Sequence, residues 1–261
     1  MAYIGNKGVK YSDDKTILLI CPILFEGQRL EGEFVIPQGV KTIAKGAFRG
    51  TKFSSVIFPE SLEDIEDGAF KRCEKLKKIV FPNQLKRIGN EAFSDCKHVE
   101  EVVFSDSIEY IGQSAFRSCG DPFRPWKNNA QIPAGIKEIG EDAFAFSGIS
   151  KVTFPDDSKN SIIDEGVFMG TDLHTIIIPT AITKIGMDAF KWCRELESIK
   201  IRNSNILIGN SAFEGCEKLS KIIVPKGKKK WIIMHNRHLH HYYPVVGVGR
   251  SIEEIIEEAE N

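Results

Sequence analysis

The 261-residue chain has no excess of charge of either sign: 35 Lys and Arg stand against 36 Asp and Glu, for a formal net charge of −1. That balance argues against a nucleic-acid binder of the basic type, which needs a positive surface over the phosphates. Long apolar runs are missing as well. The longest, Ile17 to Phe25, is too short to span a bilayer and is interrupted by Pro22, so no membrane insertion is expected. Lys7, Lys10 and Lys15 precede this run, as they would in a secretory leader. Asp13, Asp14 and the lack of a small-x-small site before Glu26-Gly27-Gln28-Arg29 argue against that reading. There is no GxSxG, HExxH, phosphate loop or dinucleotide fingerprint, so neither an enzyme nor a cofactor is expected. No CxxC pair exists to hold zinc. His235, His238, His240 and His241 have no carboxylate or cysteine nearby to complete a metal site, and none is expected.

What the chain does have is repetition. An Ala-Phe signature ends at Phe48, Phe70, Phe93, Phe116, Phe144, Phe190 and Phe213, with Val167-Phe168 as an altered copy. Counting that copy, the steps are 22, 23, 23, 28, 24, 22 and 23 residues. A fixed period of roughly 20–29 residues marks a leucine-rich solenoid. Each repeat opens with a short β-branched run closed by proline, such as Ile79-Val80-Phe81-Pro82 or Ile176-Ile177-Ile178-Pro179. Alternation points Ile79 and Phe81 one way and Val80 the other. Proline lacks an N–H and ends the strand. Two apolar residues three apart follow (Leu85 and Ile88, Leu62 and Ile65), then a turn into Ala-Phe. A small residue comes three after the phenylalanine: Cys73, Cys96, Cys119, Cys193 or Cys216, with Thr51, Ser147 and Thr171 in other copies. One coil cannot bury these groups, but stacked coils bury them all in one continuous core. The cysteine column is therefore expected to hold free, buried thiols, because in-register Cβ vectors point the same way rather than at each other.

These motifs resemble the bacterial surface-antigen (BspA-like) leucine-rich repeats, whose consensus runs approximately LxxIxIPxxLxxIGxxAFxxC, over about residues 34–225. Ser105 and Arg202 depart from it where the strand-ending proline should stand. The resemblance implies a right-handed superhelix of about eight coils, built of short parallel strands, turns and short helical segments. It also implies a non-catalytic, adhesion-type module that recognises host, matrix or neighbouring-cell proteins, at the cell surface or secreted. The alternative is an intracellular scaffold or self-associating structural protein, favoured by the lack of a leader and by the thiols; a chain that is full length as given would then be cytoplasmic.

The expected division is a hairpin cap over 1–33, the solenoid over 34–225 and a C-terminal cap over 226–261. The hairpin turns at Ser12-Asp13-Asp14, between Tyr11 and the run Thr16–Cys21. At the other end, Ser251-Ile252-Glu253-Glu254 reads as a capping box before a short helix carrying Ile252, Ile255, Ile256 and Ala259 on one face.

The candidate binding face is the outward row of the strands: Val35, Ile57, Val80, Val103, Gln131, Thr153, Ile177, Lys200 and Ile223. Lys78, Glu101 and Lys151 lie among the residues two positions earlier. Such a row forms an aliphatic ladder edged with mixed charge, longer than scattered exposure on a monomer. β-Branched residues also favour strands for their own sake. Glycan binding is disfavoured, because these rows hold few aromatics. The second candidate is the insertion at 117–130, where Asp121-Pro122 and Arg124-Pro125 force a loop. Its Phe123, Arg124 and Trp126 are residue types enriched at interface hot spots. Phe123 and Trp126 could equally fold back over a gap.

Overall fold

The computed structural model describes residues 3–4, 8–22, 24–25, 28–29, 31–121, 124–230 and 252–259. The repeats wind into a parallel-strand solenoid of about nine turns, with two strand rows and one turn face per coil. The first row carries the Pro-terminated strands, for example Lys52–Ile57, Lys78–Val80 and Glu101–Val103. The second row carries the two-residue strands that end on the second apolar residue, for example Asp64–Ile65, Arg87–Ile88 and Tyr110–Ile111. Pairing is in register from coil to coil: Ile79 lies against Val102, and Ile88 against Ile65 and Ile111.

The ladders are not continuous. In the first row they break between Glu101–Val103 and Ala130–Gln131, and again between Val152–Thr153 and Thr175–Ile178. The second row breaks between Glu138–Ile139 and Ile162–Ile163. At the first gap a side chain takes the place of a peptide unit. The Asn128 amide accepts from Val102 N–H (3.2 Å) and donates to Val102 C=O (2.7 Å), satisfying both backbone groups.

The core is the phenylalanine column. Phe48, Phe70, Phe93, Phe116, Phe144, Phe168, Phe190 and Phe213 are all buried. Consecutive rings stack face to face, 4.7 Å apart at Phe48–Phe70 and 5.4 Å at Phe93–Phe116. The backbone beside them is tied across coils, with Phe93 N–H donating to Ala115 C=O at 2.7 Å. The small-residue column has its own reason. The thiols of Cys73, Cys96, Cys193 and Cys216 each donate to the carbonyl of the preceding coil's phenylalanine, at 3.0–3.1 Å. Burial pushes the Cys193 thiol up to about 11 and raises Cys119 and Cys216 as well. The five cysteines of the column are free and buried, as expected, and Cys21 is buried as well. A thiol reagent at neutral pH should therefore leave the native protein almost unlabelled and modify all six after denaturation. Rapid labelling of the native protein would contradict this packing.

The turn face obeys a rule the strand pattern hides. Each coil bends through a left-handed residue two before the phenylalanine: Gly46, Gly68, Glu91, Ser114, Asp142, Gly166, Asp188 and Ser211. Where that residue is not glycine, a glycine stands two positions earlier: Gly89, Gly112, Gly140, Gly186 and Gly209. A Cβ at any of these five would lie 2.5–2.6 Å from backbone of the preceding coil. They are glycines because chains approach closely there, not for their dihedral angles.

Two expectations need correction. The short helical segments within the repeats are turns, and the helix at Ile252–Ile255 stands outside the repeats. That helix does not carry the whole C-terminal apolar face, because Ile256–Glu258 leaves it and pairs as a parallel strand with Lys221–Val224. The last coil offers an open ladder edge, and pairing satisfies backbone groups that a helix would leave exposed. The inward position that Phe81 holds is incompletely covered one coil later, where Phe104 is only partly buried.

Lys10–Tyr11 pairs antiparallel with Ile17–Ile20, which joins the first second-row strand, Thr42–Ile43, in parallel. Leu18 is buried there, so the hairpin shields the open end of the core.

Candidate protein-binding face

The alternation that buries Ile79 and Val102 turns Val35, Ile57, Val80 and Val103 outward. They are 58, 47, 46 and 37% exposed, in one line across four paired strands. At strand spacing this line is about 15 Å long. Along its edge, Lys78 pairs with Glu101 across coils at 3.1 Å, and Ser55 donates to Glu33 at 3.3 Å. The face is therefore apolar along its crest and polar beside it.

This ladder is shorter than the row in the sequence suggests. At the insertion it gives way to Gln131 and Thr153, and the strands there belong to a separate sheet. It resumes as a second patch around Ile177, 49% exposed, with Lys151 and Thr153 nearby. The structure thus groups Ile57, Val80, Val103, Lys78 and Glu101 in one patch. Thr153, Ile177 and Lys151 fall in another.

The insertion divides differently. Trp126 is buried, not presented to a partner. Its indole N–H donates to Cys119 C=O at 3.3 Å, and its ring fills space that Gly120 and Gly148 leave free. A Cβ on either glycine would come within 2.6–2.8 Å of the ring. The fold-back alternative therefore holds for Trp126. Arg124 is exposed and lines a hollow of about 690 Å³ with Lys97, His98, Glu100 and Phe146. Glu100 is held below the usual carboxylate range by its hydrogen bond and charge contact with Lys127. Phe123 and the His235–His241 cluster lie outside the described residues.

Sequence reasoning missed two features. On the turn face, Phe146 and Trp192 take left-handed angles (φ 55 and 60°) where other coils have Gly50, Arg72, Asp95, Ser118, Gly170 and Gly215. Their rings pass over Gly170 and Gly215 and approach each other, with centroids 6.2 Å apart. The alternation of aromatic and glycine in the last four positions of that column was the available signal. The other feature is a groove on the strand face lined by His174 and Arg202, residues that no short motif joins.

Among known proteins, a leucine-rich repeat protein from Bacteroides ovatus aligns over 86% of this chain and 69% of its own, with TM-score 0.57 and 23% identity. At that identity the likeness is one of fold. A leucine-rich repeat protein from Eubacterium ventriosum aligns over 73% of this chain and 60% of its own, with TM-score 0.47 and 17% identity. Comparison with curated proteins returns no match. The family model for the BspA type leucine rich repeat region matches residues 20–121 and 127–232 in six copies, and its gap falls inside the insertion. The phenylalanine column, the paired strand rows and this match over most of the chain agree: the protein belongs to the BspA-type leucine-rich repeat family.

Proposed function

We infer that the protein is a non-catalytic recognition module that binds another protein through the outward strand face, in the adhesion-type role its family resemblance implies. The observation that carries the reading is the line Val35, Ile57, Val80 and Val103. Four β-branched side chains stand exposed on a rigid, register-locked sheet, flanked by charges that already have partners. Exposed apolar groups on a pre-organised surface bind with little ordering cost, and contiguous patches of this kind mark interaction sites. Ion pairs beside the patch limit non-specific attraction and leave the apolar line as the source of affinity.

Substituting Ile57, Val80 and Val103 together by serine tests it. The variant is expected to keep the wild-type melting midpoint, since all three side chains face solvent, and to lose binding in pull-downs against extracellular-matrix and cell-lysate proteins. Retained binding would move the site elsewhere. Loss of a concentration-dependent sedimentation shift in the same variant would identify the partner as a second copy of this chain.

A further inference from the structure

The strand face carries a second site of different chemistry. Where the first-row ladder opens between Val152–Thr153 and Thr175–Ile178, a groove of about 370 Å³ forms. Phe154, Ile177 and Pro179 line its floor, and Lys151, His174 and Arg202 stand around it. The opening has a local cause. Asp156 to Asn160 lengthens this coil to a step of 24 residues, so the strand beside it is only two residues long. Arg202 stands where most copies place a strand-ending proline, which frees a long cationic side chain to reach across.

The cations here cluster. Many lysines and arginines of the array are neutralised by cross-coil pairs, as in Lys78–Glu101, Lys41–Glu63 and Arg117–Asp142. Around the groove, Lys151 has no ion-pair partner among the described residues. Nor does Lys200, which lies in register beside Ile177 on the next strand. Arg202 has one, Asp156, from two coils earlier in the chain. The Asp156 side chain is 79% exposed and so readily exchanged for a carboxylate from outside. The apolar floor is continuous with the exposed face of Ile177.

We propose that this groove receives an acidic, extended peptide segment of a partner protein, with carboxylates at Lys151, Lys200 and Arg202 and an apolar side chain over Phe154 and Ile177. This rests on the reading of the strand face as a protein-binding surface and names the chemistry of what binds its C-terminal half. Opposite charge steers the encounter and selects the partner, while the apolar floor supplies area removed from water.

The test uses the intact chain and three fluorescent decapeptides of alternating residues, Glu-Val, Gln-Val and Lys-Val, read by anisotropy at low and physiological salt. The Glu-Val peptide is expected to bind, weakening as salt rises, with the Gln-Val and Lys-Val peptides at least about tenfold weaker. Lys151→Ala, Lys200→Ala and Arg202→Ala combined should weaken Glu-Val binding roughly tenfold with an unchanged melting midpoint, since all three are surface groups. The Ile57, Val80 and Val103 triple-serine variant should bind the Glu-Val peptide as wild type does. Equal binding of Glu-Val and Gln-Val overturns the proposal, as does no binding of either. Retention of Glu-Val binding by the triple-alanine variant overturns it too. A heparin oligosaccharide bound in preference to the acidic peptide would assign the cations to a sulfated glycan instead. Loss of Glu-Val binding in the triple-serine variant alone would place the acidic peptide on the aliphatic line and leave this groove empty. The pull-down assay of that variant reports separately on the broader reading.

Discussion

Phe93→Ala is expected to destabilise the protein by about 3–5 kcal/mol and to lower the thermal midpoint by on the order of 10 °C. Phe93 is fully buried between Phe70 (centroids 5.0 Å, planes 2° apart) and Phe116 (5.4 Å, 5°), and it meets Phe81 edge-on. Truncation removes the transfer free energy of the ring and leaves a cavity that two stacked neighbours cannot close without breaking register. The loss should spread, because each coil gains its stability from its neighbours rather than from itself. Hydrogen exchange should accordingly speed up in the coils of Phe70 and Phe116 as well as in that of Phe93. A variant with an unchanged midpoint would refute the column as the source of stability.

Gly112→Ala should be nearly as damaging, about 2–3 kcal/mol, although it adds one methyl group and buries nothing polar. Its Cβ would lie 2.6 Å from the backbone nitrogen of Asn90, a main-chain atom already held by donating to the Asp67 carboxylate of the preceding coil at 2.8 Å. Strain of this kind has no flexible side chain to absorb it. Coils with a side chain at this position, Ala44, Glu66 and Asp164, all have their glycine two residues later. Moving the glycine in the same way, by Gly112→Ala with Ser114→Gly, should recover more than half of the lost stability in chemical denaturation. Simple additivity of the two changes would show the positions to be independent and the alternation to be without consequence.

Much of this architecture is legible in the sequence because it depends on neighbours at a fixed spacing. The period places every phenylalanine of the stacked column, and alternation about Ile79-Val80-Phe81 correctly assigns which side chains face in and which face out. What could not be read is whatever depends on space rather than spacing. Trp126 lies among prolines in a pattern equally suited to a presented loop or a plug, and its direction is set by two distant glycines. The end of the chain carries a genuine local helix signal at Ile252–Ile255, yet Ile256–Glu258 follows the open edge of Lys221–Val224, a partner the local sequence does not contain. The basic groove was visible only as Arg202 in place of proline. Asp156 and Arg202 are 46 residues apart, and only the winding of the coils brings them together.

The interruptions in the two strand rows never coincide. The first row opens on either side of the pair of coils whose strands Ala130–Gln131 and Val152–Thr153 are bonded neighbours, while the second row opens between those two coils. Every seam in one wall is therefore bridged by unbroken bonding in the other, like offset courses of masonry. The rod has no natural cleavage plane, so the lengthened coils can carry unusual surface chemistry without turning into a hinge.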